Sequence, residues 1–124
     1  MREIKFRAWY YDGKNLSSGE MQYNCLVRTE ENGEVLAQVI EKGMRIWSNC
    51  VKVMQYTGLK DKNNKEIYEG DIVDITILNN VFRGEVIFKD GSFIQKNHLE
   101  LGRYNRDSIK VIGNIYENPE LLKK

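Results

Sequence analysis

A chain of 124 residues has the length of one ordinary domain, and its 41% hydrophobic and 30% charged content excludes a disordered polymer. Lys and Arg number 19 against 18 Asp and Glu, so the formal charge is +1 and no whole-molecule field gathers nucleic acid or an anionic membrane. No run approaches the roughly 18 consecutive apolar residues of a membrane span, which argues against a membrane partner.

The first element in chain order is Glu3 to Tyr10. Ile4, Phe6 and Ala8 alternate with Lys5, Arg7 and Trp9, the period of a half-buried strand. Asp12-Gly13-Lys14-Asn15 supplies turn residues, and Leu16 to Arg28 carries no pattern that assigns an element. Glu31-Asn32-Gly33-Glu34 is a second turn signal. Val35 to Ile40 fits a helical face or a strand, and its β-branched content favours the strand. Val51, Val53 and Gln55 alternate with Lys52, Met54 and Tyr56 in another strand, ending at Gly58. Between Leu59 and Tyr68 the polar run Lys60 to Glu66 reads as an exposed hairpin tip or loop.

Past Tyr68 the alternation sharpens. Val73, Ile75 and Ile77 share one strand face opposite Ile72, Asp74 and Thr76, and Asn79-Asn80 turns the chain. Phe82, Gly84, Val86 and Phe88 share a face of the next strand. Asp90-Gly91 predicts a type I′ hairpin, and Phe93 starts the return strand. Ile109, Val111, Gly113 and Ile115 form a last strand, with Gly84 and Gly113 marking bulges or tight bends. Asn118-Pro119-Glu120 resembles a helix start, with Asn118 as N-cap and Pro119 in the first position. Leu121 and Leu122 would then dock on the body or a neighbouring subunit and leave Lys123 and Lys124 in solvent. The expected fold is mainly β: small, barrel-like, strongly bent antiparallel sheets with a short C-terminal helical turn. One domain is expected, with an N-terminal β part (1–57), a polar loop (58–67), a C-terminal barrel-like part (68–117) and a short tail (118–124).

Chemistry-bearing residues are sparse. Glu69, Asp71 and Asp74 form the densest acidic group, yet strand geometry places Asp71 and Asp74 on opposite faces. Asp71 after Gly70 reads as a turn cap that accepts backbone N–H groups. His98 stands near Asn97 and Glu100 without a nucleophile motif, and reads as a surface or turn residue. Two cysteines with one histidine cannot build a four-ligand zinc site alone, so no metal or cofactor is expected. Cys25 and Cys50 read as small core residues. The chain opens at Met1 with charged residues and no apolar leader, so free thiols in a reducing cytoplasm are expected. Phosphate-binding glycine loops, helix-turn-helix patterns and Cys/His fingers are missing. Trp9, Tyr10, Tyr11, Trp47 and Tyr56 read mostly as packing residues, some of them suited to an interface. The best binding candidate is the barrel's outer face, where Arg83, Lys89, Lys96 and Arg103 lie with Tyr104 and Phe93 nearby. Cations and aromatics on a small barrel can hold single-stranded nucleic acid, although Glu85, Asp90 and Glu100 interleave with them.

Three stretches together resemble the YopX family of phage and prophage proteins. They are Arg2-Glu3-Ile4-Lys5-Phe6-Arg7-Ala8-Trp9, then Met54 to Asn63 continuing through Lys65 to Val73, and Val111 to Leu121. Tyr10 stands where the family often has Asp, and Asn63-Asn64 where it often has Asn-Gly. The resemblance implies a mainly β, partly barrel-like protein of a phage or prophage, and self-association into a homo-oligomer. It brings no catalytic residues. The expected function is a non-enzymatic accessory protein in the bacterial cytoplasm, acting by self-assembly or on an unknown phage or host protein. The alternative is a nucleic-acid-binding module using the basic and aromatic face. An enzyme ranks third, and would need a deep pocket that gathers His98 with Asp71 or Asp74.

Overall fold

In the computed structural model, which describes residues 3–123, strands dominate. Its helical pieces are short 3-10 turns at Leu101–Arg103, Arg106–Ser108 and Pro119–Leu122. The chain divides into two compact units, one spanning Ile4–Gln55 and the other beginning at Tyr56.

In the first unit, β1 (Phe6–Tyr11) lies between β2 (Gly19–Tyr23) and the first half of β6 (Val51–Lys60), antiparallel to both. A second sheet runs β3 (Val27–Thr29), β4 (Val35–Glu41), β5 (Met44–Ser48). Ala8 and Ala37, both fully buried, pack with Cys25 and Val39 in a small core, and partly buried Tyr10, Val27, Ile46, Val51 and Val53 surround it. The Gln22 side-chain amide acts as a piece of backbone: its Nε2 donates to the Ile40 carbonyl at 2.9 Å, and its Oε1 accepts from the Ile40 N–H at 2.7 Å. The strand expected at Val35–Ile40 is present, and so are the turns at Asp12 and Asn32-Gly33. The unassigned stretch holds β2 and the start of β3.

β1 departs from the expected half-buried pattern, because Arg7, Ala8 and Trp9 are all buried while Ile4 is exposed. The Trp9 indole N–H donates to the Leu16 carbonyl at 2.7 Å, and its ring lies where a Cβ on Gly19 would come within 2.8 Å. The Arg7 guanidinium stands 6.0 Å from the centroid of the Tyr23 ring. The amphipathic Trp9 side chain is thus covered by a neighbouring strand while its N–H finds a partner.

In the second unit, the rest of β6 pairs with β7 (Glu66–Tyr68). A five-stranded sheet follows in the order β11 (Leu99–Glu100), β10 (Ser92–Gln95), β9 (Asn80–Lys89), β8 (Asp71–Ile77), β12 (Ile109–Asn114), strongly curled as a half-barrel. Its core is Ile67, Val73, Ile75, Val86, Phe93, Leu101, Ile109 and Val111. The face Val73-Ile75-Ile77 is as expected, but Ile72 is also fully buried, so β8 is covered on both sides. Asp90 and Gly91 have φ of 52° and 83°, with Lys89 opposite Ser92, which is the predicted type I′ hairpin. The β8–β9 turn sits one residue earlier than expected, at Leu78-Asn79 (φ 48° and 71°), because Ile77 pairs with Asn80.

Gly113 borders a register shift, the expected bulge. Gly84 does not: it sits in regular register opposite Val73. A Cβ there would lie 2.9 Å from Gln95 Cγ. The glycine is needed for the side chain crossing it, since buried Gln95 donates its Nε2 to the carbonyls of Val73 (2.9 Å) and Phe82 (2.8 Å).

The polar run between β6 and β7 is not simply an exposed loop. Asp61 is 1% exposed. Its Oδ1 accepts from the N–H groups of Asn63 and Lys65, both at 2.9 Å, and its Oδ2 from the Val111 N–H at 2.9 Å. The Lys62 N–H meanwhile donates to the Ile109 carbonyl. One turn thereby caps the outer edge of β12. In the tail, Asn118 precedes a 3-10 turn beginning at Pro119, but its side chain accepts from the Asn114 N–H at 3.1 Å and does not cap that turn. Leu121 is half-buried and Leu122 is 41% exposed. The expectation for Lys124 lies outside the described residues.

Candidate functional site

The proposed basic face draws Arg83 and Lys89 from β9, Lys96 from just past β10 and Arg103 from a 3-10 turn, and their placement decides what each cation meets. Arg83 lies directly opposite Asp74 across the β8–β9 ladder. Its Nε reaches Asp74 Oδ1 at 2.8 Å and a terminal nitrogen reaches Oδ2 at 3.1 Å, a bidentate pair. The hydrogen bond and charge of Asp74 raise the guanidinium's already high pKa. Lys96 Nζ pairs with Glu85 Oε1 at 3.1 Å, and Arg103 Nε with Glu100 Oε2 at 2.9 Å. Lys89 is exposed beside Asp90 in a shallow hollow of about 200 Å³ that Ser92, Ile94, His98 and Glu100 also line. Tyr104 packs against the half-barrel core and lines a different hollow, of about 330 Å³, with Tyr56, Leu59 and Arg106. Phe93 is buried edge-to-face against Phe88 at 4.9 Å. Three of the four cations therefore face carboxylates, and the two aromatics serve packing.

The acidic group separates as strand geometry requires. Asp71 is 2% exposed and its Oδ2 accepts from the Tyr68 N–H at 2.8 Å, the turn-capping role read from Gly70-Asp71. Asp74 belongs to Arg83. His98 is an exposed turn residue with φ of 68°, and neither Asp71 nor Asp74 lines its hollow. Among the described residues, no group of three or more His, Cys, Asp or Glu side chains gathers in a way that could hold a metal ion. Cys25 and Cys50 are free thiols. Burial pushes the Cys25 thiol pKa up, and its Sγ donates to the Gln22 carbonyl at 3.4 Å. No helix among the described residues is long and apolar enough to cross a membrane.

Exposed apolar side chains are the feature that sequence patterning did not find. Leu78, at the tip of the β8–β9 hairpin, is 90% exposed, and Val81 and Phe82 on the same hairpin are 59% and 38% exposed. Val81 and Arg83 line a hollow of about 420 Å³ with Leu121, Leu122 and Lys123. In the first unit, Ile40, Met44 and Trp47 are 52%, 68% and 37% exposed. The Arg28 guanidinium lies over the Trp47 ring, 4.5 Å from its centroid. These two residues come from strands separated by β4, so their spacing in the sequence gives no signal.

The chain is similar in structure to protein EF1440 from Enterococcus faecalis, with a TM-score of 0.69 and 28% identity over 99% of this chain and 100% of that one. It is likewise similar to protein yopX from Bacillus subtilis, with a TM-score of 0.64 and 26% identity over the same shares of each chain. No curated protein matches. The YopX protein family model matches residues 5–123, nearly the whole chain, and the chain belongs to the YopX family.

Proposed function

We propose that this protein is a non-enzymatic phage or prophage accessory protein of the bacterial cytoplasm, acting by self-assembly and contact with other proteins. The observation that carries the reading is Leu78, a large apolar residue 90% exposed with a φ of 48°. The left-handed conformation costs an ordinary side chain about 1–2 kcal/mol, and Asn or Gly would hold this turn more easily. An apolar side chain kept at such a position, with Val81 and Phe82 beside it, supports a contact surface. The pairing of Arg83, Lys96 and Arg103 with carboxylates weighs against the nucleic-acid alternative, because each carboxylate offsets the positive charge that a phosphate would meet.

The test is light scattering on the purified chain at micromolar concentration, joined to mobility shifts with single- and double-stranded DNA and RNA. The expected result is a mass that is a multiple of 14.6 kDa and no shift at moderate salt. A monomer would remove self-assembly. A salt-sensitive shift lost in the double variant Arg83→Ala, Lys96→Ala would move the assignment to nucleic-acid binding.

A further inference from the structure

We infer that the outer edge of β5 pairs with the same edge of a second copy, joining two three-stranded sheets into one across a two-fold axis. The inference rests on the self-association reading above. Ile40 gives its N–H and carbonyl to Gln22, and Gln38 gives its N–H to the Leu26 carbonyl, so both turn away from β5. In an antiparallel ladder, hydrogen-bonded and non-hydrogen-bonded pairs alternate. Ile40 opposite Arg45 and Gln38 opposite Trp47 are therefore the non-bonded pairs, and Val39 opposite Ile46 is a bonded one. It follows that the N–H and carbonyl groups of Arg45 and Trp47 point out of the sheet at the free edge of β5. Among the described residues no strand pairs with that edge.

Some backbone groups that the ladders of the second unit leave unpaired are capped instead. Asp61 and Lys62 take those of β12, and the amides of Gln95 and Asn97 take the Phe82 and Arg83 carbonyls of β9. β5 lacks Pro, Lys and a bulge as edge guards, and Arg45 is the one charge in its Met44-Arg45-Ile46-Trp47-Ser48 sequence.

The edge is also complementary to itself. An antiparallel copy centred on Ile46 places Arg45 opposite Trp47, Trp47 opposite Arg45, and Met44 opposite Ser48. The two Arg45–Trp47 pairs fall where each residue's N–H and carbonyl point outward, so four backbone bonds form and no outward group of those residues is left over. Cation meets indole, and the two like charges do not face each other. Arg28 already holds Trp47 from the β3 side. In the paired sheet the second copy's Arg45 comes beside the same ring.

Two variants test this. Arg45→Pro removes an N–H that β4 does not use and is compatible with an edge position. The expected result is half the wild-type molar mass by light scattering, with an unchanged far-ultraviolet circular dichroism spectrum. Ile46→Cys places two thiols across the axis, with Cβ atoms about 4.5–5.5 Å apart. Mild oxidation should convert the chain to a disulfide-linked dimer that wild type, with Cys25 and Cys50 alone, does not form. An oligomeric wild type with no Ile46→Cys dimer, or with a folded Arg45→Pro variant of undiminished mass, would overturn the β5 pairing and leave self-association standing. A monomeric wild type would overturn both.

Discussion

Asp61 concentrates more backbone satisfaction in one side chain than any other carboxylate described above. With 1% exposure and three N–H donors around it, its replacement by Ala strands Asn63, Lys65 and Val111 at once. Leaving a buried donor unpaired costs about 1–3 kcal/mol, and solvent can reach the turn amides of the exposed Asn63 and Lys65, so Asp61→Ala should lose roughly 3–4 kcal/mol. Asp61→Asn keeps one acceptor oxygen and should lose less; urea unfolding of both variants gives the comparison. Cys25 yields a pH prediction of the opposite kind. Burial raises its folded-state pKa, so at alkaline pH the unfolded chain gives up a proton that the fold retains. The contribution is fully present below the unfolded thiol's pKa and is lost as pH rises from there to the folded value. The slope is at most about 1.4 kcal/mol per pH unit in that window. Wild type should therefore lose stability between pH 8 and 10 faster than Cys25→Ala, as measured by denaturant midpoints.

At the scale of the element, Gly84 and Gln95 form one device in two strands. Gly84→Ala brings a Cβ within 2.9 Å of Gln95 Cγ and pushes the amide off the Val73 and Phe82 carbonyls. The expected loss is about 1–3 kcal/mol, read from thermal unfolding, with Gln95→Ala partly relieving it in the double variant. The sequence carried β8, β9 and the Asp90-Gly91 hairpin openly, because each has one face buried and alternation reports that face. It carried β5 and β2 poorly. Met44-Arg45-Ile46-Trp47-Ser48 puts exposed apolar residues on both faces, and Gly19 to Tyr23 lies over a Trp9 ring that no periodicity announces. Asp61 was hidden for a related reason: a polar run reads as solvent-exposed unless a strand 50 residues away is known to need a cap. The candidate site depended on register in the same way. Arg83 reads as a free cation until Asp74 is placed opposite it, and Lys96 until Glu85 is.

For the whole molecule, near-neutral charge and apolar exposure lead to the same expectation about medium. An assembly held by backbone pairing and apolar contact should keep its light-scattering mass as sodium chloride rises from 50 to 500 mM. One held by phosphate contacts would dissociate over that range, since each neutralised phosphate adds to the salt slope. The β12 cap has a further consequence, in time and not in energy. Asp61 and Val111 are 50 residues apart, so their bond closes a long loop and cannot form before more local hairpins have drawn the two ends together. The bond should be made after the folding barrier is crossed. Asp61→Ala should then accelerate unfolding and leave the refolding rate nearly untouched, so that this turn acts as the latch that sets how long the folded state lasts.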